Sequence, residues 1–155
     1  MRWTPGGRSD NLEDRRGASG GGMKLGLGGT VVLLAHEIGH HVQNLTGIEK
    51  AMRNAVQRNP AAGNPLSVAM ELQADCYAGV WAYSAARAGI IEAGDLDEGL
   101  GAAAAVGDDR LQKMSTGRVN PESFTHGSSA DRRAWFRKGF DSGDPRRCDT
   151  FRQGR

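Results

Sequence analysis

Three residues in the run VLLAHEIGHHV, Val32 to Val42, are of the types and at the spacing that metal chemistry needs: His36, Glu37 and His40. On a helix, residues four apart share a face, so both imidazoles can grip one ion. Glu37 follows the first histidine and can reach a water on that ion. Two nitrogen ligands beside a carboxylate base are what zinc-assisted hydrolysis requires. By average residue usage, three such fixed positions arise by chance in roughly one chain of this length per hundred or fewer. The plain alternative is a surface helix that carries two histidines. Against it stand Val31 to Ala35 before the motif, and Ile38, Val42 and Leu45 after them. That pattern predicts a buried helix, where a charged Glu and paired His need a partner. His41 lies about 100° round the helix from His40 and is not expected on the same ion.

A catalytic zinc takes three protein ligands and a water. Thr46 stands six residues after His40, where a third histidine would complete a metzincin pattern, so the third ligand must lie elsewhere. The segment MELQADCYAG, Met70 to Gly79, offers Glu71. Asp75 is four residues on and shares its face, amid Leu72, Cys76, Val80 and Trp81. A carboxylate on a core-facing helix needs a reason. Glu71 is expected to bind zinc, and Asp75 to accept the outer N–H of a ligating histidine, His36 first. An ordinary exposed Glu/Asp pair is the alternative.

The elements that must hold these residues read as helices at about 30–46, 65–88, 95–106, 108–115 and 128–142, with a short one at 49–58. Thr30 is expected to cap the first helix and Gly47 to end it. Asn64 and Pro65 open the second, and Asp95 with Glu98 forms a capping box for the third. Asp108 is read as the fourth helix's cap, Ser128 as the last one's, and Gly143 as its stop. No strand pattern is convincing. The fold class is all-α: a helical zincin-like half in which the zinc helix packs on the Glu-x-x-x-Asp helix. Residues 1–29 are polar and then Gly-rich and read as a disordered leader; 30–145 form the domain and 146–155 a flexible tail.

His-Glu-x-x-His followed by Glu-x-x-x-Asp on a later helix resembles the gluzincins. The wording is closer to the neutral zinc metallopeptidases of bacteria. It is carried by AHEIGHHVQNLTGI (Ala35 to Ile48), SVAMELQADCYAGVWA (Ser67 to Ala82), VGDDRLQ (Val106 to Gln112) and SFTHGSSADRRAWFRKGFDSGDP (Ser123 to Pro145). The opening MRW and SDNLEDRRG are similar to that family's N-terminus. The resemblance implies a Zn2+-dependent peptidase acting on a peptide or protein substrate, with zinc on His36, His40 and Glu71 and Glu37 as general base. It also implies a membrane-anchored protein. Here the apolar run Met23 to Ala35 is shorter than the roughly 20 residues a span needs, so this chain reads as soluble. The family's anchor, and the upstream region that supplies a substrate-aligning sheet in gluzincins, both read as missing. A zinc helix without that sheet is expected to leave apolar surface open for self-association or a partner. A zinc-binding but inactive module is the rival reading.

Thr125-His126-Gly127 with Arg132 is similar to the Thr-His-Pro-x-x-x-x-Arg segment of prenyl-protein proteases, with Gly127 in the proline's place. His126 or Arg132 could stabilise the oxyanion that grows on an attacked carbonyl. The alternative for Arg132 is a solvated face shared with Arg133, Arg137 and Lys138. Asp108 and Asp109 could also serve the site, although a capping role fits one of them better.

Composition bounds the rest. At 155 residues the chain is one domain at most, with 38% hydrophobic and 6% aromatic residues, so its core leans on Leu, Val and Ala. A net charge of +2, with scattered arginines, offers no nucleic-acid stripe. Cys76 and Cys148 are too few for a disulfide framework, and the sequence leaves their pairing open.

Overall fold

The computed structural model describes residues 27–151. Within them the order is α1 (Leu27–Leu45), α2 (Ile48–Arg58), α3 (Gly63–Arg87), α4 (Ala93–Ala105), α5 (Asp108–Thr116) and α6 (Ser129–Ser142), with single 3-10 turns at Pro60–Ala62, Pro121–Ser123 and Pro145–Arg147. No strand occurs among the described residues, so the architecture is all-α.

The long α3 is the centre. Alanine, the strongest helix former, is its commonest residue. Pro65 sits in its first turn, where a missing N–H costs nothing, and Gly89, at φ 68°, ends its run. Helices α1 and α6 pack on α3, and α4 packs on α1 and α6. Small residues set these crossings. A methyl at Gly79 of α3 would sit on the Phe136 carbonyl of α6, and one at Gly139 on the Cys76 carbonyl of α3. Gly39 of α1 is close too, though less so: its Cβ would stand 3.0 Å from the Ala74 Cα of α3. Close approach of backbones, not large side chains, therefore fixes where α1 and α6 meet α3. The core is correspondingly fine-grained: Val32, Ala35, Ala78, Ala82, Leu100 and Phe136, with Trp81, Leu96 and Phe140 against them.

Several expectations are corrected. Helix α1 is already running at Leu27, so Thr30 is inside it and Gly28 and Gly29 are buried helical residues rather than leader; the rest of the expected leader lies outside the described residues. The helix is also not buried all round. Val32, Ala35, His36, Gly39 and Gln43 form the inward stripe, while Leu34 (61%), Ile38 (49%) and Leu45 (73%) are exposed on the opposite face. The capping box of α4 is Glu92 with Asp95, because the helix starts at Ala93. Glu98 instead takes the Gly28 N–H at 3.1 Å. Asn64 lies within α3, and its side chain donates to the Glu122 carbonyl. Ser128 and Gly143 do cap α6.

The expected tail is tied down as far as Phe151. Cys148 is bridged to Cys76, with the Cα atoms 5.6 Å apart, and Thr150 Oγ1 donates to the Ala69 carbonyl at 2.6 Å. No described helix is long and apolar enough to cross a membrane.

Candidate metal centre

His36 and His40 lie one turn apart on α1, at the edge of its inward stripe, and Glu71 faces them from α3. His36 Nε2 is 3.3 Å from Glu71 Oε2, His40 Nε2 is 3.3 Å from Glu71 Oε1, and the two Nε2 atoms are 3.1 Å apart. A tetrahedron with bonds of about 2.0–2.1 Å to its centre has edges of about 3.3–3.4 Å, close to the separation of the two nitrogens and to that of each imidazole from its nearer Glu71 oxygen. This trio is the group among the described residues whose donor atoms could jointly hold a metal ion.

Each histidine is oriented from behind. His36 Nδ1 lies 2.8 Å from Asp75 Oδ1. A carboxylate only accepts, so Nδ1 carries a proton and Nε2 is the nitrogen that faces Glu71 and His40. Asp75 is itself held by Arg132 of α6: Nε donates to Oδ2 at 2.7 Å and an Nη to Oδ1 at 2.9 Å. Arg132 is only 3% exposed and reaches the Val106 carbonyl as well. The alternative of a solvated Arg132 therefore fails, while its neighbours Arg133 and Arg137 do face water. The tight Gly79/Gly139 crossing is what brings Arg132 within reach of Asp75.

Electrostatics follow the geometry. Burial disfavours a charged His36, but its bonds to Asp75 and Glu71 outweigh this and raise it to about 9. The bond to Glu71 also raises His40. Burial alone would push the Glu71 carboxyl up, yet the two imidazoles hold it well below the usual carboxylate range. The cluster thus attracts positive charge, and protons and a metal ion compete for it.

Glu37 is exposed and lies about 60° round the helix from His40, on the water side of the pair. His41 is exposed too. His126 is placed differently. It sits on the loop before α6, with Nδ1 3.1 Å from Asp108 Oδ1 and 3.0 Å from Thr125 Oγ1. Asp108 is buried at the start of α5, and its Oδ2 accepts the backbone N–H groups of Thr125 and His126, both at 2.6 Å. Its carboxylate thus pins that loop, while Gly107 occupies the cap position of α5. Asp109 acts on the same joint by accepting the Ser129 N–H at 2.6 Å. The structure therefore unites His36, His40, Glu71, Asp75 and Arg132 in one network, and the hydrogen bonds of His126 go to Asp108 and Thr125.

Two residues that the spacing argument passed over belong here as well. Gln43, fully buried, bonds His40 Nδ1 through Oε1 at 2.8 Å, and Gln73 bonds Gln43. A signal existed for Gln43: it is seven residues after His36 and three after His40, so it shares their face. Beside His40 and Glu71 opens a cleft of about 450 Å³, lined by Glu49, Met52, Arg53, Ser67 and Met70.

A His, His, Glu donor set beside a free carboxylate is the equipment of a hydrolytic zinc centre. Comparison with known proteins agrees. Residues 30–151 match the family described as "Putative neutral zinc metallopeptidase", and the chain belongs to that family. It is 54% identical to "Uncharacterized protein YpfJ" of Escherichia coli (strain K12) over 143 residues, which cover 92% of this chain and 48% of that protein. It is 49% identical to "Uncharacterized protein Rv2575" of Mycobacterium tuberculosis (strain ATCC 25618 / H37Rv) over 129 residues, 77% of this chain and 43% of that one. The chain thus spans about half the length of the curated relatives it matches. No solved structure matches it.

Proposed function

We propose that this chain hydrolyses peptide bonds at a zinc centre held by His36, His40 and Glu71, with Glu37 as general base. The observation that carries this reading is that the Glu71 carboxylate faces both imidazoles, one oxygen 3.3 Å from His36 Nε2 and the other 3.3 Å from His40 Nε2, so that one donor atom from each residue lies within 4.8 Å of the others. Zinc bound there supplies a Lewis acid and a water acidic enough to ionise near neutral pH. Asp75 and Arg132 keep His36 Nε2 aimed at the metal. Glu37 takes the proton of the attacking water on its carboxylate and passes it to the leaving amine nitrogen. The cleft between α2 and α3 accepts the polypeptide beside His40 and Glu71. His126, on the loop that Asp108 pins, donates a hydrogen bond to the carbonyl oxygen as negative charge develops there.

The test is cleavage of casein or a quenched peptide, with and without chelator, by the wild type and by Glu37→Gln. The expected result is cleavage that chelator abolishes and zinc restores, lost in Glu37→Gln although that variant still binds one zinc. Turnover by zinc-loaded Glu37→Gln rules out the mechanism. A folded, zinc-loaded wild type without any cleavage makes the chain a zinc-binding module instead.

A further inference from the structure

Gln43 is a fully buried primary amide, and every polar atom of its side chain has a partner. Its Nε2 donates to the Met70 carbonyl at 2.8 Å and to Gln73 Oε1 at 3.1 Å, and its Oε1 faces His40 Nδ1 at 2.8 Å. A backbone carbonyl only accepts, so the nitrogen end must face Met70 and the oxygen end His40. Gln73 is fixed in the same way, because its Nε2 donates to the Cys148 carbonyl at 2.9 Å and its Oε1 is thereby turned to Gln43. Two amides, each anchored on a main-chain carbonyl, thus place a hydrogen-bond acceptor on His40 Nδ1. Flipping either one would set two acceptors or two donors face to face in the interior, at a cost of about 1–3 kcal/mol for each group left unpaired.

We propose that Gln43 is the positioning residue of His40. It holds the proton on Nδ1 and so keeps Nε2 as the donor for the metal, with Gln73 setting its orientation. The proposal rests on the metal reading given above and deepens it. It also separates the two ligands by charge. His36 is backed by a carboxylate whose charge Arg132 offsets, whereas His40 is backed by a neutral amide. The orienting groups therefore add little net charge, and Glu71 remains the main negative group facing the ion.

The experiment is nitrogen-15 and proton NMR of the histidine rings in the full chain, both zinc-loaded and metal-free. The expected result is a His40 Nδ1 proton that is present and slow to exchange in both forms. Gln43→Leu removes the acceptor; that proton should then exchange about tenfold faster or more, and the zinc Kd should rise about 10–100-fold. Gln43→Glu keeps an acceptor on Nδ1 while losing the donated bonds, so it should retain the slow proton despite a lower Tm. A purely packing role predicts the opposite order, with Leu tolerated and Glu failing in both readouts. Wild-type His40 that lacks a proton on Nδ1, or that binds zinc through Nδ1, overturns the proposal without any variant. So does an equally slow proton in Gln43→Leu. If no zinc binds, the ligand set proposed above fails, and the metal-free spectrum still decides the role of Gln43.

Discussion

Asp75 and Arg132 form a two-point ion pair inside the protein, at 2.7 and 2.9 Å, and the same Asp75 oxygen that takes an Arg132 Nη also takes His36 Nδ1. One carboxylate thereby joins three helices: α1 through His36, α3 through its own backbone, and α6 through Arg132. Replacing it does two separable kinds of damage. Asp75→Ala leaves the Arg132 guanidinium buried without its partner, which should cost about 3–5 kcal/mol in urea unfolding. It also frees His36 to rotate, and zinc affinity should fall about 10–100-fold in a competition titration. Unchanged stability in this variant would show that the pair contributes nothing net.

Glu71→Gln tests the third ligand with little change in volume. A neutral amide cannot replace the carboxylate on the metal, so zinc affinity should drop by at least about tenfold, while far-UV circular dichroism stays that of the helical fold. An unaltered zinc affinity removes Glu71 from the ligand set.

The metal-free protein should carry a characteristic pH signature. Folded His36 holds its proton up to about 9, whereas the unfolded chain releases it near 6.5. Between those values the native state binds more protons, so stability falls as pH rises. Glu71 acts at the other end. Its folded carboxyl stays ionised below the ordinary 4.5, so its contribution is lost as pH falls under that value. The cluster's contribution is therefore greatest between 4.5 and 6.5. Zinc must displace these protons, so the rise in Tm that it causes should grow with pH. Melting curves with zinc and with chelator from below 4.5 up to 9 check both limbs. A metal-free Tm that climbs between 6.5 and 9 contradicts the assignment.

The helix crossing can be tested without touching the metal cluster. Gly139→Ala places a methyl on the Cys76 carbonyl, and overpacking of this kind should cost about 1–3 kcal/mol or more. Gly101 is the control. It is helical with open space around it, so Gly101→Ala should stabilise by about 0.5–1 kcal/mol. Equal effects at the two sites would mean that the α3–α6 approach is not tight.

Much of the site was legible because helical period is a strong code. The spacing of His36 and His40, and of Glu71 and Asp75, put each pair on one face before any contact was known. Which residues met across helices was less legible. Arg132 could be read as a solvated cation because its neighbours are, and only the Gly79/Gly139 crossing turns it inward. Helical period places Gln43 on the face of His36 and His40, but its fixed orientation comes from Met70 and Gln73, and that of Gln73 from Cys148, partners far along the chain. The apolar residues of α1 do not form one buried set: the inward stripe takes Val32 and Ala35 and leaves Leu34 and Ile38 outside. Helix α1 starts before Thr30 because glycine is tolerated where Gly28 lets α1 approach Asp95, and α4 starts at Ala93 because Glu92 caps it.

Reduction offers a further measurement. The Cys76–Cys148 bridge spans 72 residues of sequence, and its loss should cost about 2–4 kcal/mol. Cys148→Ser should match the reduced wild type in Tm. An unchanged Tm on full reduction would mean that the hydrogen bonds of Gln73 and Thr150 alone hold the segment.

The same bridge bears on metal choice. With both sulfurs spent on each other, the described residues contain no free thiol. Thiolates are the ligands that capture soft ions such as Cu(I) most strongly. The donor set among the described residues is therefore imidazole nitrogen and carboxylate oxygen, and the bond that braces the end of the domain also keeps sulfur out of it.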